Sequence, residues 1–83
     1  MTREILQKQL IYRSTHRGCK ETDILLGKFV EKKIFEFDDE KLEIYQKFIV
    51  EDDMLIYDWI LRKVEVPQEY LVLVEEIREF HNI

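Results

Sequence analysis

The residues best suited to chemistry in this chain are gathered in one stretch, His16-Arg17-Gly18-Cys19-Lys20-Glu21-Thr22-Asp23, where charged and polar side chains crowd a glycine. Two kinds of chemistry are open to them. His16 and Cys19, three apart, have the residue types of a nucleophile with its base, or of a pair of metal ligands. A reactive thiolate needs an oriented base, however, and zinc needs three or four ligands, while the second histidine, His81, lies far off in a terminal turn. We therefore expect no catalytic residue and no metal site, and read Cys19 as a small half-buried side chain. The second kind is recognition. Arg17 and Glu21 stand four apart, the spacing of an exposed helical ion pair worth a few tenths of a kcal/mol. The same two side chains would offer a partner a forked donor and an acceptor on either side of Gly18, whose missing Cβ lets another backbone come close. Tyr12, Arg13, Lys20 and Asp23 extend that patch.

Helices must position these residues. Ile5, Leu6 and Leu10 recur at helical spacing after Thr2, a good N-cap, which predicts a first helix over residues 2–15 with Arg13 in its last turn. Gly18 ends it. A second helix is expected over residues 20–33, with Glu21 and Asp23 in its first turn and Ile24, Leu25, Phe29 and Val30 as its apolar stripe. Gly27 within it reads as a close helix crossing. The alternation Ile34-Phe35-Glu36-Phe37 looks like a strand but has no partner strand, so it is read as a packed connector. Asp38 caps a third helix running to about residue 50, with Phe37 and Leu42 placed as a hydrophobic staple and Leu42, Tyr45, Phe48 and Ile49 facing inward. Glu51-Asp52-Asp53 ends that helix and caps a fourth, its charges solvated, and the fourth buries Leu55, Ile56, Trp59 and Ile60. Pro67 opens a fifth helix at its first position, followed by Tyr70, Leu71, Val74 and Ile77. The expected fold is thus all-α: a compact five-helix bundle in a single domain spanning residues 1–83.

Composition narrows the function. Eighty-three residues bury about 60% of their unfolded surface, which leaves one modest core and no deep pocket of the kind an enzyme uses. The net charge is −5, but residues 1–20 carry five Lys or Arg against Glu4 alone. One end is basic and the rest acidic. An estimated pI of 5.0 argues against nucleic acid, whose binders show a basic face and a raised pI. The basic end is better suited to an acidic protein surface. A single cysteine excludes an internal disulfide, and no apolar run is long enough for a transmembrane span or a signal peptide. The patch begins by Arg13 with nothing removable ahead of it, so the expectation is a bacterial cytoplasmic protein.

The Arg17-Gly18-x-x-Glu21 motif, with Tyr12 and Arg13 before it, Asp23 after it, the acidic run at 51–53 and then Trp59, resembles the SdhE/Sdh5 family of succinate dehydrogenase FAD assembly factors. The resemblance extends over roughly residues 9–80, with two departures: Thr22 stands where an apolar residue is expected, and Tyr12 where bacterial members often carry tryptophan. What it implies is a five-helix protein, monomeric when free, whose motif surface docks on the flavoprotein subunit of succinate dehydrogenase, with fumarate reductase as a second candidate. It implies promotion of covalent FAD attachment to a histidine of that partner. No cofactor would be bound tightly by the chain itself, which has no glycine-rich phosphate loop. The partner-binding residues would be Tyr12, Arg13, Arg17, Gly18, Lys20, Glu21 and Asp23. Two rival readings are an acidic helical interaction module unrelated to flavin, such as an antitoxin, and a small DNA-binding helix-turn-helix domain.

Overall fold

Three of the five helices start where a short polar side chain takes up free N–H groups of the first turn. Thr2 Oγ1 accepts from Ile5 N at 3.2 Å, Asp38 from Lys41 N at 2.8 Å, and Asp52 from Met54 N and Leu55 N at 3.0 and 3.3 Å. The computed structural model describes residues 2–83, and in it the helices are α1 (Arg3–Thr15), α2 (Lys20–Lys33), α3 (Asp39–Phe48), α4 (Asp53–Ile60) and α5 (Gln68–His81). The connector after α2 is a 3-10 turn, Ile34–Glu36, that buries Ile34 and is followed by buried Phe37. Pro67 is the N-cap of α5, one position before the expected one. Among the described residues there is no strand, and the radius of gyration is 11.8 Å.

The middle of the bundle is α2, which packs against α1, α4 and α5, while α5 also covers α3 and α4. A continuous run of rings ties these layers together. Phe29 lies 6.0 Å from Phe37, Phe37 is 5.9 Å from Tyr45, and Tyr45 is 6.2 Å from Phe48. Phe48 in turn meets Trp59 at 5.9 Å and Tyr70 at 5.3 Å. Such pairs contribute about 0.5–1.5 kcal/mol each beyond their buried area. Burial leaves Tyr45 hard to ionise, raising its pKa above the usual tyrosine range against the smaller opposing effects of the Ser14 hydrogen bond and the Arg17 charge. That hydroxyl lies 2.6 Å from Ser14 Oγ, which also donates to Leu10 O.

The expected faces hold for α3 and, with Leu55 only partly buried, for α4. The others are rotated. In α1 the inward side chains are Gln7, Leu10 and Ser14, and Ile5 is half exposed, because Ser14 meets Tyr45 through a hydrogen bond that an apolar pattern does not reveal. In α2 the stripe is Thr22, Leu26, Phe29 and Val30, leaving Ile24 outside and Leu25 at the edge. In α5 Leu73 is buried and Leu71 exposed, since the stripe runs 70, 73, 74, 77.

Gly27 is indeed a close crossing: a Cβ placed on it would sit 2.7 Å from Thr15 Cγ2 of α1. Thr15 cannot easily turn aside, because its hydroxyl donates to Ile11 O at 3.0 Å. We expect Gly27→Ala to destabilise the fold by up to about 2 kcal/mol, since overpacking costs about 1–3 kcal/mol and helix propensity returns about 1. In a Thr15→Ser background, where Cγ2 is gone, the same change should stabilise by about 1 kcal/mol. Urea unfolding of the four proteins as a double-mutant cycle measures this, and equal effects in the two backgrounds refute the crossing contact.

Candidate functional site

The four residues between α1 and α2 make a tight reversal. His16 leaves the helix, Gly18 adopts φ +92°, and Cys19 precedes α2 in an extended conformation. Positive φ is the reason for glycine here, because a Cβ on Gly18 would meet nothing within 4 Å. The space outside it is open. Asp23 holds the reversal from within by accepting the backbone N–H of Arg17 at 2.7 Å.

Arg17 points inward, which corrects the expectation of an exposed side chain paired with Glu21. Its side chain is only 10% exposed. Nε pairs with Asp53 in the first turn of α4, Nη1 donates to Ile49 O, and Nη2 donates to Glu51 O at 2.8 Å. The cause is a shortage of partners at the end of α3, where carbonyls that have run out of helical N–H groups collect beside the negative end of the helix dipole. A guanidinium satisfies several such oxygens at once in one plane. Thr22 makes a second tie across the same seam, donating to Asp53 O at 3.3 Å, which is why a hydroxyl is tolerated at a fully buried position. Asp53 is therefore not the solvated cap charge expected of it; Asp52 is the cap.

The remaining predicted residues lie outside. Tyr12, Arg13, Gly18, Lys20 and Glu21 are all exposed, and Asp23 is half-buried. Tyr12 stacks on His16 with ring centroids 4.1 Å apart and planes 16° from parallel. His16 Nδ1 is in turn 2.9 Å from Thr15 Oγ1 and 3.0 Å from Tyr12 O, so both rings are held in place. Cys19 Sγ is 3.6 Å from Glu21 Oε2, too long for more than a weak contact. Among the described residues no three His, Cys, Asp or Glu side chains come together to hold a metal ion, and no helix is long and apolar enough to cross a membrane. Asp53, Ile49 and Glu51 are what sequence reasoning missed as partners of the motif. The one available hint was the acidic run at 51–53, a second set of carboxylates that Arg17 could pair with in place of Glu21.

Fold and site together define a small all-α protein in which a polar segment braces the turn between the first two helices. The chain belongs to the Sdh5 family, described as flavinator of succinate dehydrogenase, which it matches over residues 8–81. It is 37% identical over 78 residues to the mitochondrial succinate dehydrogenase assembly factor 2 of Dictyostelium discoideum, covering 94% of this chain and 55% of that protein. It is 38% identical over 65 residues to the protein of the same name from Scheffersomyces stipitis, covering 78% of this chain and 44% of the other. The Drosophila virilis protein of that name is 38% identical over 66 residues, with 77% and 42% covered. The chain thus spans about half the length of the curated relatives it matches. No solved structure matches it. These relatives, all named mitochondrial, overturn the expectation of a bacterial cytoplasmic protein. That expectation rested on how little sequence precedes Arg13, which says nothing in a chain half as long as its relatives.

The inward Arg17 generates a test. Removing one partner of a buried ion pair costs about 3–5 kcal/mol, and Asp53, at 29% exposed, puts this pair at the low end, roughly 3 kcal/mol. Arg17→Ala should therefore lower the melting temperature by more than about 10 °C. Arg17→Lys should fall between it and the wild type, because one ammonium cannot span acceptors set in a plane. Circular dichroism melts decide it, and an Arg17→Ala variant melting with the wild type refutes the bracing role.

Proposed function

We propose that this protein is a mitochondrial assembly factor that binds the flavoprotein subunit of succinate dehydrogenase and promotes covalent attachment of FAD to it. The observation that carries the reading is the division of the motif: Arg17 and Asp23 fix the reversal from inside, while Gly18, Lys20 and Glu21 stand exposed, as do Tyr12 and Arg13, in a chain of the flavinator family. A glycine with open space above it admits a partner's backbone, and the flanking charges set register and orientation. The chain holds no FAD tightly itself, and the covalent chemistry belongs to flavin and flavoprotein. Its contribution is to hold the partner in the arrangement where the flavin and the accepting side chain meet, an effect of proximity. A monomer suffices for this.

Glu21 separates binding from folding because it is exposed and makes no ion pair among the described residues. Glu21→Ala should leave the melting temperature within about 2–4 °C of wild type, as surface changes within about 0.5 kcal/mol do. Its affinity for the flavoprotein subunit should drop about thirtyfold, the equivalent of about 2 kcal/mol for a charged anchor at an interface. In-gel flavin fluorescence of that subunit, in cells with wild-type protein, the variant or neither, reads the consequence. Equal fluorescence in all three sinks the proposed function.

A further inference from the structure

Beyond the motif, α1 carries a second stripe that the fold does not use. Ile5, Lys8, Gln9, Tyr12 and Arg13 succeed one another at helical spacing on its outer side and line an open groove with almost wholly apolar walls. Ile5 is 50% and Tyr12 63% exposed, although the inward face of the same helix is filled by Gln7, Leu10 and Ser14. The helix therefore leaves two large apolar side chains outside while Gln7 and Ser14 are buried beside Leu10, against what burial alone selects. Tyr12 is also pinned by its stack on His16, so little side-chain freedom remains to be lost when something covers it.

From these observations we infer that the outer face of α1 is a docking groove for an acidic, apolar-faced segment of the flavoprotein partner, continuous with the Gly18 turn; this rests on the function proposed above. The first argument is area. A stable interface covers about 800 Å² per partner, roughly 15% of this chain's 5396 Å². Gly18, Lys20 and Glu21 cannot supply that, and the α1 stripe leads toward their turn through Tyr12, which stacks on His16 where the turn begins. The second is charge. Arg13 has no ion-pair partner among the described residues, and Lys8 is held only by Glu4 at 3.4 Å with both side chains more than 70% exposed. Such a pair exchanges readily for a better one. These cations rim the groove at the one basic end of a chain whose net charge is −5, so an acidic segment is drawn to this face and repelled from the rest.

The test measures binding of purified flavoprotein subunit to the wild type, to Ile5→Ser/Lys8→Glu, to Glu21→Ala and to Val50→Ser, with melts and sedimentation of each. Val50 is an exposed apolar residue beside the acidic run and serves as the control. The groove variant should melt with the wild type, bind at least tenfold more weakly at 0.1 M salt, and lose affinity less steeply as salt rises; Val50→Ser should bind normally. If the groove variant binds like wild type while Glu21→Ala is weakened, the groove inference falls and the motif reading stands. If wild type fails to bind the subunit, both fall. Should wild type sediment as a dimer that the groove variant abolishes, the face takes a second copy of this chain and the inference is overturned.

Discussion

The guanidinium of Arg17 is the contact on which the candidate site depends. It reaches from the reversal between α1 and α2 to the junction of α3 and α4, where it meets Asp53, Ile49 O and Glu51 O. Without it those oxygens would be drawn out of water with no donor, and each such group costs about 1–3 kcal/mol. The interaction also restricts. A point cation could sit near these oxygens in several ways, but a planar fork with defined N–H directions fits in one. The exposed residues on either side of Arg17 inherit that fixed geometry.

Short helices make this kind of bracing necessary. At 10 and 8 residues, α3 and α4 fall below the length at which an isolated helix holds in water, so their ends depend on what the rest of the chain supplies. Arg17 does this for the end of α3. Arg78 does it for the end of α4, donating through Nε to Ile60 O at 3.2 Å and through Nη2 to Trp59 O from a buried position in α5. Burial lowers its pKa from the usual arginine value, a cost the two carbonyls and the helix dipole offset. Two arginines thus terminate two successive helices from elements that are distant in sequence, and the aromatic run between them fills the space they enclose.

How much of this was legible in the sequence follows from the range of the interactions involved. Helix starts are local, and Thr2, Asp38 and Asp52 announce them within three residues. The family motif and the exposed positions around Gly18 were legible too, and so was Gly27. Which face of α1, α2 or α5 turns inward was less so, because each offers two overlapping apolar stripes and the choice falls to polar contacts such as Ser14 with Tyr45. Arg17 was misread for the same reason. Its spacing to Glu21 suggested a local pair, whereas its partner lies 36 residues away, and nothing in a single sequence ranks a distant carboxylate above a near one.

The motif is best understood as two sets of residues with opposite duties in one short segment. Arg17, Thr22 and Asp23 look inward and make the reversal rigid; Gly18, Lys20 and Glu21 look outward and are left free by it. A factor that organises another protein needs this arrangement for a physical reason. Binding energy can hold a partner in a demanding geometry only if it is not consumed in ordering the binder first. In the function proposed here, a turn already fixed by a buried guanidinium, a positive-φ glycine and the Asp23 carboxylate would arrive at the interface ordered, so its contacts would act on the partner.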